Sequence, residues 1–256
     1  MTRAEGGRQT GAQTVERAFD VLNHFRTVPG TAGISEIARR LDLNVSAVYR
    51  IVRAMEQAGF LEQDPATRRY RLGSAVAGLN RVLSHQRGFH LARPELRWLS
   101  REAGGSAALA LRDGDEALVV GEVSAESGGA EWDDVAANSV PLHTSAFGKV
   151  LLAWPGPEEA DLAALAPLVR RTERSITDLA DLRAEIDRTR ERGWALADRE
   201  MTPTQLTVAA PVRDPEGRAA LAVGVGLTYT PENAARVEAL APLVTGTAER
   251  LSTVLT

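Results

Sequence analysis

Cysteine is absent from this chain of 256 residues, and lysine occurs only once. Without cysteine the protein has no disulfide bond, no zinc finger with cysteine ligands and no thiolate catalysis. Because disulfides are rare in reducing compartments, we expect a cytoplasmic protein. No apolar run approaches the length of a membrane span, so we expect no contact with a membrane.

Motifs for catalysis and for cofactor binding are also missing. The sequence has no Gly-x-Ser-x-Gly elbow, no phosphate-binding loop and no paired-metal motif. Its four histidines show no spacing suited to a metal ion. His143, Asp198 and Glu200 leave hydrolysis as an alternative, but we predict that the protein is not an enzyme and has no catalytic residue, metal site or cofactor.

The charge is divided unequally along a chain whose length fits two modest domains. The formal net charge is −4, but residues 1–73 hold eleven basic and eight acidic residues, a net charge of +3. The remainder carries −7, so an acidic body confines nucleic-acid contact to the N-terminal end. Residues 1–13 are polar, glycine-rich and lack the apolar core of a signal peptide, and we predict a disordered tail there.

Residues 34–55 contain two short amphipathic segments separated by a polar turn. We predict that Ser35 caps the first helix and that Asn44 or Ser46 caps the second. Apolar residues recur at three- and four-residue spacing, which places them on one face of each helix. The inward residues are Ile34, Ile37, Ala38 and Leu41, then Val48, Ile51, Val52 and Met55. Two such helices around a tight turn are typical of a helix-turn-helix, which inserts one helix into a DNA groove.

A basic hairpin follows these helices. Residues 60–63 and 68–72 have strand character, and Asp64-Pro65 favours a turn, because proline presets φ and aspartate bonds its own backbone. Three of residues 68–72 are arginines, whose guanidinium groups suit phosphates or a minor groove. We therefore predict a winged helix-turn-helix domain at residues 14–73, with double-stranded DNA as its partner.

The predicted DNA contacts lie on the outward side of the two helices and at the hairpin. Arginine can bond guanine bidentately, and serine and tyrosine can bond phosphates. A charged stripe is also what any solvated helix shows, so the prediction depends on the order of helices and hairpin together. The predicted contacts are Ser35, Asn44, Val45, Ser46, Ala47, Tyr49, Arg50, Arg53, Arg68, Arg69 and Arg71.

The rest of the chain predicts a linker helix at residues 74–92 and a second domain at residues 93–256. Apolar residues at helical spacing make the linker a natural place to dimerise. In the second domain, strand patterns near residues 106–123 and 194–227 mix with helices. Helices are predicted at 147–154, 158–168 and 178–192, and a final one, capped by Thr230, runs from 231 to 254. This pattern predicts an α+β domain with an antiparallel sheet, of a size to hold a small molecule.

From about Thr14 onwards the chain resembles the IclR family of bacterial transcriptional regulators. The resemblance is carried by residues 14–18, the helix-turn-helix, and residues 69–73, 140–153 and 192–212. It implies a C-terminal effector-binding domain related to GAF/PAS-like folds. It also implies homodimers that often pair into dimers of dimers.

The resemblance further implies an effector pocket beside the loop at residues 145–147, where a helix N-terminus suits a carboxylate. Thr207 stands where many relatives have cysteine, and Gly224 and Gly226 where they have serine, so we expect a larger or more apolar ligand than glyoxylate or pyruvate. The implied effector residues are Ser145, Ala146, Phe147, Asp198, Glu200, Gln205, Thr207, Gly224 and Gly226.

Several of these residues also have a purely structural interpretation. Glycine in a strand often marks close packing, and His143 can simply brace the loop. Lys149 could pair a ligand carboxylate, but a helix surface or an interdomain salt bridge is the alternative that we favour.

Taken together, these features predict a DNA-binding regulator, a repressor rather than an activator. It would bind a pseudo-palindromic operator as a homodimer, and a small-molecule effector would modulate that binding. The alternative is a ligand-independent regulator that retains the sensor fold only as an oligomerisation scaffold.

Overall fold

The computed structural model describes residues 5–27, 30–124, 132–133, 139–156 and 161–255. The chain divides into two compact units, Met1–Gln86 and Arg87–Thr256. This division falls within the predicted linker of residues 74–92. The predicted linker helix is not continuous over residues 74–92, because the α-helix there ends at Gln86 and Gly88, with a left-handed φ of 68°, precedes a short 3-10 helix, Phe89–Ala92.

In its described residues, the first unit combines four helices with one hairpin. They are α1 (Glu5–Thr27), α2 (Ile34–Arg40), α3 (Val45–Gln57), β1 (Leu61–Gln63), β2 (Tyr70–Leu72) and α4 (Ser74–Gln86). β1 and β2 pair antiparallel. The predicted inward stripe of α3 is confirmed, since Val48, Ile51, Val52 and Met55 are all buried. Helix α1 contributes Val21 to the same core, so the predicted winged helix-turn-helix is present.

The helix caps agree with the prediction in α3 but not in α2. Gly33 caps α2 in an extended conformation, and the Glu36 carboxylate accepts from the Gly33 N–H at 3.4 Å. Ser35 lies inside the first turn, so the prediction that it caps this helix is wrong. Asn44 caps α3, because its side chain accepts from the Ser46 N–H at 2.8 Å.

The N-terminal helix differs from the predicted disordered tail at residues 1–13. Helix α1 is already formed at Glu5, and residues 1–4 lie outside the described part of the chain. Once a helix is nucleated, each further residue adds one hydrogen bond. Anchoring of α1 in the core through Val21 and Phe25 therefore lets the helix continue into the polar sequence before it.

The second unit is built on an antiparallel sheet, which has seven strands within the described residues. Its strands are β3 (Ser106–Asp113), β4 (Glu116–Val123), β5 (Trp132–Asp133), β6 (Ser139–Pro141), β7 (Ala195–Asp198), β8 (Gln205–Arg213) and β9 (Ala219–Thr228). The order across the sheet is β5-β4-β3-β9-β8-β7, and β6 also pairs with β4. Its helices are α5 (Arg93–Ala103), α6 (Ala146–Ala153), α7 (Leu179–Arg192), α8 (Pro231–Ala235) and α9 (Val237–Leu255).

Helices cover both faces of this sheet. Successive strand residues point to opposite faces, and β8 shows the division. Val208 and Ala210 belong to a core with Leu99 of α5 and Val244 of α9. Ala209, between them, belongs to a core that includes residues of α6 and α7. The predicted α+β class with an antiparallel sheet is confirmed.

Two predicted helices of this unit differ from the structure. Over residues 158–168, the described part holds only a short 3-10 helix, Leu162–Leu165, and residues 157–160 lie outside the described residues. The final helix is interrupted at Arg236, between α8 and α9. Its start is confirmed, since Thr230 caps α8 by accepting from the Asn233 N–H at 3.1 Å.

Lys149 of α6 lies in a buried ionic cluster, with its side chain only 1% exposed. Its Nζ donates to Glu200 Oε1 at 2.6 Å and to the Leu196 carbonyl at 2.7 Å. Glu185 Oε1 lies 3.8 Å from the same Nζ. Burial raises the pKa of Glu200, while the Lys149 ammonium opposes that rise. The expectation that Lys149 lies on a helix surface or in an interdomain salt bridge is wrong, because all its partners lie in its own unit.

We expect Lys149→Met to destabilise the second unit by about 3–5 kcal/mol, because it leaves a buried carboxylate without its counter-charge. Urea unfolding followed by tryptophan fluorescence measures this unit alone, since the chain's four tryptophans lie at positions 98, 132, 154 and 194. The double variant Lys149→Met/Glu200→Gln should recover part of the loss. A single variant within about 0.5 kcal/mol of the wild type, the range of ordinary surface changes, would contradict this account.

Candidate functional site

The outward ridge of α3 lies opposite its buried stripe. At about 100° per residue, Ser46, Arg50 and Arg53 follow one another along the exposed side of the helix. Tyr49 is 52% exposed and lies on one flank of this ridge. The ridge therefore presents hydroxyl, phenol and guanidinium groups along one line.

A groove of about 520 Å³ separates α3 from the hairpin and from the start of α2. Four arginines contribute to it. Its lining includes Ser35, Arg39, Tyr49, Arg53, Arg68 and Arg69. Ser35, Tyr49, Arg53, Arg68 and Arg69 were all predicted to contact DNA, and the fold brings them together around this groove.

The predicted arginine contacts differ in what their guanidinium groups already bind. Arg53 pairs with Glu56, and Arg71 pairs with Glu62 across the hairpin. Such exposed pairs are weak and are screened by salt, so both arginines can exchange partners. The guanidinium groups of Arg50 and Arg68 make no hydrogen bond or ion pair with any described residue. Their positive charges are fully available to an incoming anion.

Arg68 occupies the hairpin tip in a left-handed conformation, with φ at +60°. The turn is tightly bonded, because Asp64 Oδ1 accepts from the Ala66 and Thr67 N–H groups at 2.9 and 2.7 Å. The Arg68 N–H donates to the Asp64 carbonyl at 2.9 Å. The backbone at the tip is thus held while the Arg68 side chain extends outward.

Arg69 joins the hairpin to the start of α2. Its Nε donates to Thr31 Oγ1 at 2.9 Å, and its Nη2 donates to the Thr31 carbonyl at 2.6 Å and to Glu36 Oε2 at 2.7 Å. The pKa of Glu36 is lowered, first by the Arg69 hydrogen bond and then by the Gly33 N–H. Arg69 was also predicted to contact DNA, but its donors are used within the protein. They bond Thr31 and Glu36 and so hold the hairpin in place.

The remaining predicted contacts surround the start of α3. Asn44 and Ser46 are exposed and bond each other, with Ser46 Oγ donating to Asn44 Oδ1 at 2.7 Å. Val45 is half exposed. Ala47 is half-buried and, together with Arg50, borders a second groove that residues of α1 also line.

The second unit contains a cavity of about 120 Å³ between α6 and the sheet. Five of the nine predicted effector residues line it, namely Ser145, Phe147, Gln205, Thr207 and Gly226. The other lining residues are Ser106, Ala108, Val119, Glu122, Val140, Thr144, Ala197 and Met201. Apolar side chains form about half of the lining, and the polar residues are Ser106 on β3, Glu122 on β4, Thr144 and Ser145 just before α6, and Gln205 and Thr207 on β8.

The remaining four predicted effector residues do not line this cavity. Ala146 is fully buried in the core. Asp198 pairs with Arg174 and Arg199, and Glu200 pairs with Lys149. Gly224 is a close-packing position, because a Cβ there would lie 2.5 Å from the Val208 carbonyl oxygen and 3.0 Å from the Phe147 ring.

Gly226 has a different environment from Gly224. A Cβ at Gly226 would meet Gln205 Nε2 at 3.3 Å and Thr207 Oγ1 at 3.8 Å, both on side chains that line the cavity. Ser106 is the direct cross-strand partner of Gly226. Strand pairing was therefore the signal that could have added Ser106 to the predicted set.

The start of α6 has the properties of an anion site. Ser145 caps the helix, since its Oγ accepts from the Gly148 N–H at 3.0 Å and donates to the Pro141 carbonyl at 2.8 Å. The first N–H groups of a helix, here those of Ala146 and Phe147, have no partner within the helix. They lie at the positive end of the helix dipole, which favours a carboxylate.

His143, which precedes α6, has a structural role. His143 Nε2 lies 3.0 Å from the Val169 carbonyl oxygen, which confirms that this histidine braces the loop. Within the described residues, no three potential metal ligands come together. In the same part of the chain, no helix is long and apolar enough to cross a membrane.

Comparison with known proteins assigns both units to one family. A family model described as "IclR helix-turn-helix domain" matches residues 14–65. A second, described as "Bacterial transcriptional regulator IclR C-terminal", matches residues 80–253. The second match alone covers more than half of the chain.

Similar full-length proteins are named as transcriptional regulators. The chain is 28% identical to the HTH-type transcriptional repressor AllR of Klebsiella pneumoniae over 253 residues, which cover 98% of this chain and 93% of AllR. It is 30% identical to the HTH-type transcriptional regulator BhcR of Paracoccus denitrificans over 246 residues, covering 94% and 87% of the two chains.

Solved structures agree with this assignment. An IclR transcriptional regulator from Silicibacter sp. TM1040 superposes with a TM-score of 0.77 at 27% identity, covering 93% of this chain and 96% of that one. An IclR homologue from Microbacterium hydrocarbonoxydans, solved in complex with 4-hydroxybenzoate, has the same fold, with a TM-score of 0.78 at 24% identity and coverage of 94% and 98%. The chain is a regulator rather than an enzyme, and it belongs to the IclR family of bacterial transcriptional regulators.

Proposed function

We propose that this protein is a repressor that binds a pseudo-palindromic operator as a homodimer and changes its operator affinity when a small carboxylic acid occupies the cavity beside α6. The observation that carries the proposal is the pair of unpartnered guanidinium groups, Arg50 on α3 and Arg68 at the hairpin tip. The name of the similar AllR repressors supports repression rather than activation.

The DNA contacts that we propose divide into two kinds. Arg50 lies on the ridge of α3 with Ser46, where a guanidinium can bond a guanine edge in the major groove. Arg68 extends from the hairpin, where it can neutralise a phosphate. Arg69 acts through the hairpin, because its bonds to Thr31 and Glu36 set the position of Arg68.

Exposed apolar residues on α4 support the proposed dimer. Leu79, Val82 and Leu83 are 57%, 49% and 44% exposed, and no α4 residue is buried in its own unit. Burial of such a stripe against a second copy would remove this apolar surface from water. A two-fold dimer also presents two DNA-binding domains to the half-sites of a pseudo-palindrome.

Arg50→Ala should weaken binding to an operator selected from random DNA by about 1–3 kcal/mol, because it removes a bidentate base contact. Mobility-shift titration against the selected operator and a scrambled duplex measures the specific part. Arg101→Ala, an exposed arginine of the second unit, is the matched control. Unchanged discrimination between the two duplexes would exclude Arg50 from base recognition.

Arg68→Gln should weaken binding to both duplexes similarly and should reduce the slope of log K against log salt by about 0.9, the value for one lost phosphate contact. Titration at several salt concentrations gives the slope, with Arg101→Gln as the control. If the slope of Arg68→Gln equals that of the wild type, the hairpin does not touch phosphate.

The proposed effector is small. The cavity of about 120 Å³ is below the range of about 300–1,000 Å³ that is usual for drug-sized ligands. It is close to an engineered cavity of about 150 Å³ that binds benzene. This size argues against the expectation of a larger ligand but agrees with an apolar body. The 4-hydroxybenzoate complex of a family member shows that one protein of this fold binds an aromatic acid.

Gly226→Val should fill the cavity and abolish the effect of organic acids on operator binding, while operator affinity without added acid stays unchanged. The test compares mobility shifts with and without benzoate, 4-hydroxybenzoate, pyruvate or lactate. Thr228→Val, an exposed position on the same strand, is the control for strand propensity.

This experiment also separates the proposal from its alternative. If no acid alters operator binding by the wild-type protein, the second unit acts as an oligomerisation scaffold. If Gly226→Val responds like the wild type, the effector lies elsewhere.

A further inference from the structure

We infer that the Thr144 hydroxyl binds the effector directly and donates a hydrogen bond to its carboxylate, so that Thr144 determines the preference for acids. This inference deepens the proposed function and rests on the cavity beside α6 being the effector site. Thr144 was not among the predicted site residues.

Thr144 combines complete burial with an unused hydroxyl. It is 0% exposed and lines the cavity. Among the described residues, nothing bonds its Oγ1. Buried hydroxyl groups nearly always have a hydrogen-bond partner, because burial without one loses the hydrogen bonds to water and replaces them with nothing. A ligand in the cavity is the group that can supply the missing partner.

The neighbouring Ser145 shows the contrast. Its hydroxyl proton is donated to the Pro141 carbonyl, and its oxygen accepts from the Gly148 N–H. Ser145 is therefore occupied with capping α6 and has no proton for a ligand. Of these two adjacent hydroxyl groups, only that of Thr144 is free to donate.

The first turn of α6 favours a carboxylate over a neutral acceptor, and this effect must outweigh the repulsion from Glu122, which lines the same cavity. The first turn of α6 provides N–H groups at Ala146 and Phe147 and the positive end of a helix dipole. A carboxylate in the cavity accepts from the Phe147 N–H and from Thr144 Oγ1 together, since Phe147 and Thr144 both line it, and hydrogen bonds to charged groups are the stronger kind. Phe147, Val119 and Met201 line the cavity with apolar surface for the rest of the molecule.

A purely structural role for threonine predicts a different stability. If Thr144 only filled space, valine, which has nearly the same shape, would do so without burying an unpaired hydroxyl. Thr144→Val should therefore leave the melting temperature of the ligand-free protein unchanged or raise it by about 2–4 °C. The same change should weaken acid binding, which separates recognition from folding.

The experiment uses the full-length wild type, Thr144→Val and Thr144→Ser. Calorimetric titration and thermal shift are measured with benzoate, 4-hydroxybenzoate, pyruvate and lactate as acids, and with benzamide as the neutral isostere of benzoate. We expect Thr144→Val to bind the best acid about ten- to a hundredfold more weakly, the effect of one hydrogen bond to a charged group. Thr144→Ser keeps the hydroxyl and should stay closer to the wild type.

Several results would overturn the inference without touching the proposed function. They are equal acid affinity in Thr144→Val and wild type, tighter binding of benzamide than of benzoate, and a fall of several degrees in the melting temperature of ligand-free Thr144→Val. If neither the acids nor benzamide bind to the wild type, the effector proposal fails together with this inference.

Discussion

The close approach of α6 to the loop before it is the constraint on which the second unit depends. A Cβ at Gly148 would lie 2.2 Å from the Leu142 Cα, so only glycine permits this packing. Ser145 also joins α6 to this loop, because its Oγ accepts from the Gly148 N–H and donates to the Pro141 carbonyl. With α6 so placed, Phe147 borders the cavity, and the side chain of Lys149 is buried among its ionic partners.

This arrangement makes the cavity a largely preformed site. Met201 lines it, and the adjacent Glu200 is tied on several sides. Lys149 donates to the Glu200 carboxylate, and Ser175 Oγ donates to the Glu200 carbonyl at 2.7 Å. Thr172 Oγ1 donates to the preceding carbonyl, that of Arg199, at 2.7 Å. A wall held in this way would reduce the ordering cost of the ligand binding that we propose for this cavity.

The DNA-binding unit uses the same principle at its surface. Glu36 is bonded by both Gly33 at the start of α2 and Arg69 of the hairpin, and so couples the two elements. These hydrogen bonds within the protein therefore fix the position of the hairpin before DNA is present. Arg50 and Arg68 remain as uncommitted charges on a preorganised surface, which is the condition for specific and salt-dependent contacts.

The sequence by itself determined the winged helix-turn-helix, the buried stripe of α3 and a cap at Asn44 or Ser46, and it pointed to the loop at Ser145 that lines the cavity beside α6. Periodicity, capping and turn chemistry are local, so they can be predicted from neighbouring residues. Only the tertiary structure decided that Lys149 pairs with Glu200, 51 residues away, and that Arg69 is committed while Arg50 is not. It also placed the Thr144 hydroxyl in a buried position where no described residue bonds it. Such partnerships depend on how distant segments pack, and no local pattern encodes them.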